Sequence, residues 1–146
     1  MRTFLAGSLL MLLSIGMISC GGNGSNSDIK AALADSANFT TIEWVDSLTR
    51  NYGTILEGEK LNVSFTFRNT GNSPLVIGRV TPSCGCTIAE QPQKPIAPGQ
   101  QGQIRATFNS EGRVGINHKT LTVNANTKGV QNFALKFVVQ VDKKPS

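Results

Sequence analysis

Histidine is almost absent: His118 is the only one in the chain. A Ser/His/Asp set needs a histidine beside an activated nucleophile, and no Gly-x-Ser-x-Gly elbow accompanies this one. No glycine-rich phosphate loop opens onto a helix. No apolar run reaches the about 20 residues that a spanning helix needs. Ile29 to Ser36 is long enough for a helical turn or two, but from Phe39 onward no segment has the 3.6-residue period of an amphipathic helix. Tryptophan and tyrosine occur once each, at Trp44 and Tyr52. The formal net charge is +5, yet Lys60, Arg68, Arg79, Arg105, Arg113, Lys119 and Lys128 stand apart, and only Lys143-Lys144 is a pair. A nucleic-acid interface clusters its cations on one element among aromatic side chains. Nucleic acid is therefore not expected as a partner. The charge reads as solvated strand faces, with attraction to anionic lipid or polysaccharide as a lesser role. Together these absences predict a protein that is not an enzyme.

Cysteine is scarce too, and its three positions are informative. Cys20 ends Met17-Ile18-Ser19-Cys20, behind a charged Met1-Arg2 start and 17 uncharged, largely apolar residues from Thr3 to Ser19. A charged start, an apolar stretch and a small residue before the cut are the parts of a secretory signal. Gly7, Ser8, Ser14 and Gly16 interrupt the apolar stretch, and Gly/Ser/Asn-rich chain rather than a stop-transfer charge follows it. A cysteine directly after the small residue resembles a bacterial lipoprotein signal. That resemblance implies cleavage before Cys20, acylation of Cys20 and a lipid tether to a membrane. Loss of residues 1–19 would leave 13 basic against 9 acidic side chains. Gly21, rather than aspartate, follows Cys20, and the sorting rule of some Gram-negative bacteria then points to the outer membrane. The expected division is a signal at 1–19, lipidated Cys20 and a flexible linker over 20–38, one domain over 39–142 and a tail at 143–146.

Beyond the linker the apolar period is two. Leu61, Val63, Phe65 and Phe67 alternate with Asn62, Ser64 and Thr66. The same alternation runs through Ile104–Phe108, Leu121–Ala125 and Phe133–Val141, which is the mark of strands with one buried and one wet face. Glu57-Gly58-Glu59, Asn69-Thr70-Gly71-Asn72, Pro98-Gly99 and Glu111-Gly112 supply turn residues suited to a positive φ or a preset bend. Strands are expected near 40–45, 52–56, 60–68, 74–80, 102–109, 118–125 and 132–141. About seven short strands with no helices between them predict an all-β, antiparallel sandwich of immunoglobulin-like size. Trp44 and the phenylalanines read as its core, and Glu57 and Glu59 as solvent-facing turn carboxylates. Asp35-Ser36-Ala37 and Asp46-Ser47-Leu48 match a short periplasmic O-glycosylation signal, but three-residue patterns arise by chance.

The other two cysteines lie in Ser83-Cys84-Gly85-Cys86-Thr87, after the apolar run Leu75–Val80. Around this motif stand Tyr52-Gly53-Thr54-Ile55, Phe65-Thr66-Phe67-Arg68-Asn69-Thr70-Gly71, Pro74-Leu75-Val76-Ile77, Pro95-Ile96-Ala97-Pro98-Gly99 and Thr122-Val123-Asn124-Ala125-Asn126. In this order, from Tyr52 to Asn126, they resemble a family of secreted and lipid-anchored bacterial proteins of unknown function. The resemblance implies a Hydin-type immunoglobulin-like sandwich in the envelope of a Gram-negative bacterium.

Three roles for Cys84 and Cys86 are open. Outside the cytoplasm such thiols tend to oxidise, and a disulfide here would close a very small ring for which Gly85 offers backbone freedom. Two soft thiolates one residue apart also suit Cu(I) or Zn(II), although His118 is the only imidazole available to complete a zinc site. Thiol redox chemistry would need a depressed pKa, for which Arg79 is a candidate cation. No cofactor is expected in the first case and Cu(I) or zinc in the second. The leading expectation is a non-catalytic, lipid-anchored binding or scaffold module at the cell envelope. Its partner would be an envelope protein or a glycan, docked on a sheet edge or on the loop of Ser83, Gly85 and Thr87.

Overall fold

The computed structural model describes residues 38–145. The expected signal peptide, Cys20, the linker as far as residue 37 and the Asp35-Ser36-Ala37 tripeptide lie outside the described residues. The strands are β1 (Ile42–Trp44), β2 (Thr49–Leu56), β3 (Lys60–Asn69), β4 (Ile77–Pro82), β5 (Thr87–Glu90), β6 (Gln101–Asn109), β7 (Gly115–Ala125) and β8 (Asn132–Asp142). They form two four-stranded sheets, ordered β1-β3-β6-β5 and β2-β8-β7-β4. The fold is the all-β, immunoglobulin-like sandwich that the two-residue period predicts.

The alternating apolar residues meet between the sheets. Val63, Phe65 and Phe67 of β3 and Ile104, Ala106 and Phe108 of β6 face Leu121 and Val123 of β7 and Leu135, Phe137, Val139 and Val141 of β8, all buried. Each large side chain of this set contributes on the order of 1.5–3 kcal/mol through burial. Phe137 meets Phe108 and Tyr52 edge-on, with ring centroids 6.0 and 6.2 Å away. Trp44 sits edge-on between Phe67 and Phe133, 5.6 Å from each, half-buried and packed against the core rather than within it.

Three features differ from the expected strand plan. An eighth strand, β5, lies where none is expected, because its pattern is inverted: Thr87 is buried and Ile88 is 69% exposed. The strand expected at 74–80 begins only at Ile77 and runs on to Pro82. Leu75 instead exchanges both backbone hydrogen bonds with Ile96, at 2.9 and 2.8 Å, and the chain then moves into the other sheet. Finally, the sandwich is not wholly antiparallel: β2 pairs parallel to β8, with Thr49 opposite Lys136 and Leu56 opposite Asp142.

Two buried asparagines tie the loops at one end. Asn69 uses its whole amide: Oδ1 accepts from Thr40 Oγ1 (2.8 Å) and Gly71 N (3.1 Å), and Nδ2 donates to the carbonyls of Ser73 (2.8 Å) and Ile96 (2.9 Å). Asn126 accepts from Val76 N at 2.7 Å and donates to the carbonyls of Asn38 and Pro74 at 2.8 and 3.0 Å. Gly71 lies in this knot for lack of space rather than for a positive φ. A Cβ there would stand 2.6 Å from the Thr41 nitrogen and closer still to the Thr40 hydroxyl.

After β1, Asp46 Oδ2 accepts from Thr66 N at 2.6 Å and lies 3.6 Å from Arg50 Nη1. The Thr66 backbone N–H holds the Asp46 carboxyl below its ordinary value of 3.8; partial burial opposes this, and the Thr66 side chain and Arg50 add to it. A lowered carboxylate stabilises the fold above its unfolded pKa, and that contribution is lost as pH falls through the folded value.

Asn126→Ala removes three hydrogen bonds and leaves the buried Val76 N without a partner, so it should cost about 3 kcal/mol, read as a lower denaturant midpoint at unchanged slope. A loss below about 1 kcal/mol would show that the loops hold without the amide. Asp46→Asn should lower stability most above about pH 5, and the difference from wild type should vanish towards about pH 2. A difference independent of pH would contradict the role given to the charge.

Candidate functional site

The Ser83–Thr87 segment is the corner at which the chain crosses from β4, at the edge of one sheet, to β5, at the edge of the other. Ser83 ends the β4 ladder, its N–H donating to Thr120 O at 2.8 Å and its hydroxyl accepting from Thr120 N at 3.1 Å. Cys84 and Cys86 are joined by a disulfide, with Cα atoms 5.2 Å apart. Cys84 is half-buried, Gly85 exposed and Cys86 buried against the core. Thr87 N donates back to Cys84 O at 3.3 Å, and Cys86 O accepts from Asn109 N at 2.9 Å. The Thr87 hydroxyl lies 3.7 and 3.9 Å from the two sulfurs. Bonded sulfurs carry no proton, so this hydroxyl is the donor.

Three neighbouring segments complete this end of the sandwich. Ser110 is fully buried, its hydroxyl set between the carbonyls of Leu56 and Glu59 at 3.0 and 2.7 Å. Glu57 and Glu59 brace turns rather than merely facing solvent. Glu57 Oε1 accepts from Gly112 N (3.1 Å) and Glu59 Oε2 from Leu56 N (2.8 Å). Asn117 Nδ2 donates to the carbonyls of Arg113 (2.7 Å) and Gly115 (3.1 Å). Lys119, two residues along the same inward face of β7, stands 5.5 Å from the Phe108 ring centroid. Burial lowers the Lys119 pKa, and the Arg113 charge lowers it further.

Residues 42–141 match the family described as "Protein of unknown function (DUF1573)". The chain belongs to the DUF1573 family. Two solved structures share its fold. One is a protein of unknown function from Porphyromonas gingivalis W83: 20% identity, TM-score 0.62, 73% of this chain against 49% of that one. This chain thus spans about half of that protein's length. The other is the ASH/PapD-like domain 7 of human CEP192: 12% identity, TM-score 0.54, 75% of this chain against 89% of that one. At these identities the likeness is one of fold. No curated protein matches the sequence.

The DUF1573 domain brings Ser83, Cys84, Gly85, Cys86 and Thr87 together at one corner, and it leaves His118 out of it. His118 points from the exposed face of β7, where it pairs in register with Val138. Among the described residues no group of three His, Cys, Asp or Glu is placed to hold a metal ion. Gly85 adopts no left-handed φ, and a Cβ there would meet nothing within 4 Å, so the corner does not depend on glycine's freedom. Ser47 of the Asp46-Ser47-Leu48 tripeptide is exposed, with its hydroxyl 2.9 Å from Thr49 O.

Two features are absent from the sequence reading. On the outer face of the β1-β3-β6-β5 sheet a shallow hollow of about 380 Å³ is lined by Glu90, Gln101, Gln103 and Arg105. The second is the half-buried Lys119 over the Phe108 ring, whose pKa is lowered by burial and then by the Arg113 charge. Its signal was present: Asn117 and Lys119 occupy inward positions of β7 ahead of apolar Leu121 and Val123, a break in the alternation.

A disulfide across one residue constrains little unfolded chain, so Cys84→Ala/Cys86→Ala should lower stability by less than about 2 kcal/mol. Thermal melts with and without reductant would show it. Loss of cooperative melting would mean that the bridge, not the strands, holds the corner.

Proposed function

We propose that this protein is a non-catalytic binding or scaffold module of the cell envelope, tethered by lipid on Cys20. The observation that carries the reading is the disulfide-joined corner. It presents Ser83 and Gly85 at the surface, on backbone held by Thr120 and Asn109. Disulfides persist in the oxidising compartments outside the cytoplasm, which accords with the signal pattern before Cys20. A rigid, exposed corner is suited to docking, because ordering a flexible loop would cost binding free energy. The metal reading is disfavoured, since bonded sulfurs supply no thiolate ligand. The remaining parts of the proposal are a Hydin-type lineage for the sandwich, an outer-membrane location from Gly21, and an envelope protein or glycan as the partner at the corner.

Intact mass of the full-length gene product, purified from membranes with and without alkylation, tests the reading. A chain that starts at acylated Cys20 and takes up alkylating agent at Cys84 and Cys86 only after reduction is the expected result. A chain that retains residues 1–19, or free thiols at 84 and 86 with metal carried through native spray, would overturn it.

A further inference from the structure

The disulfide end of the sandwich holds two cations, Arg113 and Lys119, that have no ion-pair partner among the described residues. Arg113 lies in the turn between β6 and β7, and its backbone carbonyl is fixed by Asn117 Nδ2 at 2.7 Å. Its Nε is buried and has no hydrogen-bond partner. Lys119, on the same face of β7 as Asn117, rests its ammonium over Phe108, 5.5 Å from the ring centroid. Among the described residues the one ion pair is Asp46 with Arg50, so neither Arg113 nor Lys119 has a carboxylate within 4.0 Å. Glu57 and Glu59 belong to this end, but their carboxylates are engaged by Gly112 N and Leu56 N.

Such an arrangement is unfavourable as it stands. Like charges brought together on partly buried positions repel, and an unsatisfied buried donor costs about 1–3 kcal/mol. Burial, and after it the charge of Arg113, lowers the Lys119 pKa. A bound anion would relieve both penalties. One carboxylate would offset only half of the charge. A phosphate monoester carries about −1.5 to −2 at neutral pH and three strong acceptor oxygens, and a guanidinium can take two of them in a fork.

We propose that Arg113 and Lys119 form a phosphate-binding site at the disulfide end of the sandwich. Arg113 turns its guanidinium from the unsatisfied position towards the phosphate oxygens, and Lys119 supplies the second charge from above Phe108. This names the ligand chemistry of the end proposed above as the docking corner, and it rests on that reading.

The test is a titration of inorganic phosphate into the full-length protein in detergent, at constant ionic strength set with chloride, followed by amide NMR shifts. Saturable shifts at Arg113 and Lys119 are expected. Arg113→Gln and Lys119→Gln should each weaken half-saturation about tenfold, with Arg113→Lys and Lys119→Arg recovering part of it. Lys143→Gln should leave the titration unchanged. Shifts that rise without saturation, or that respond equally to Lys143→Gln, would overturn the site. So would a phosphate response that survives both glutamine variants while their spectra remain folded. A second arm uses dihexanoyl phosphatidic acid. Tighter saturation than by inorganic phosphate supports the site with a lipid headgroup as source, and equal saturation supports it with free phosphate. Failure in both arms would leave the mass measurements of the tether and disulfide untouched, so the two readings stand or fall separately.

Discussion

The hydrogen bonding of two buried side-chain amides is the constraint on which the architecture depends. Asn69 and Asn126 sit at strand ends and satisfy the backbone of segments that belong to neither sheet. Loops cannot be buried unless their N–H and C=O groups find partners, because each orphan costs about as much as a lost hydrogen bond. An aliphatic side chain of similar size would fill the volume and leave Val76 N and the carbonyls of Ser73 and Pro74 without these partners. Gly71 completes the arrangement by leaving room for Thr40 and Thr41. With those loops anchored, β4 can depart into the second sheet at Ile77, which in turn delivers the chain to the cysteine corner.

Much of this was legible in the sequence, and the gaps have physical causes. The period of two in β3, β6, β7 and β8 reports directly which face is dry, so the central strands and core follow from it. Strand β5 escapes because its short run places a threonine inward and an isoleucine outward, inverting the usual code. The parallel pairing of β2 with β8 leaves no local trace, since alternation specifies a face and not a neighbour. Gly71 was readable as special but for the wrong reason: turn glycines and close-contact glycines look alike until the neighbouring chain is placed. The cysteine pair was legible as a site with three chemistries. The corner's bonding to Thr120 and Asn109 depends on strands 37 and 23 residues away from Ser83 and Cys86 and needed the fold. Arg113 was visible only as scattered charge, whereas Lys119, with Asn117, breaks the alternation of β7.

The corner and the two cations give the domain a chemical polarity that its fold alone does not have. Sandwiches of this class share a core and differ at their ends. Here one end is knotted by the amides of Asn69 and Asn126, and the other is closed by the Cys84–Cys86 disulfide. Function in such a module is expected where local consistency breaks down.

The place of β8 in its sheet has a consequence for how the protein comes into being. The last strand lies between β2 and β7, so one sheet is assembled around the end of the described chain. As the polypeptide emerges from its N-terminus, β2 must wait for a partner that begins some 80 residues later. Contacts this distant in sequence form slowly, because the intervening chain must close a large loop before they stabilise anything. A half-emerged chain therefore has no finished fold to fall into.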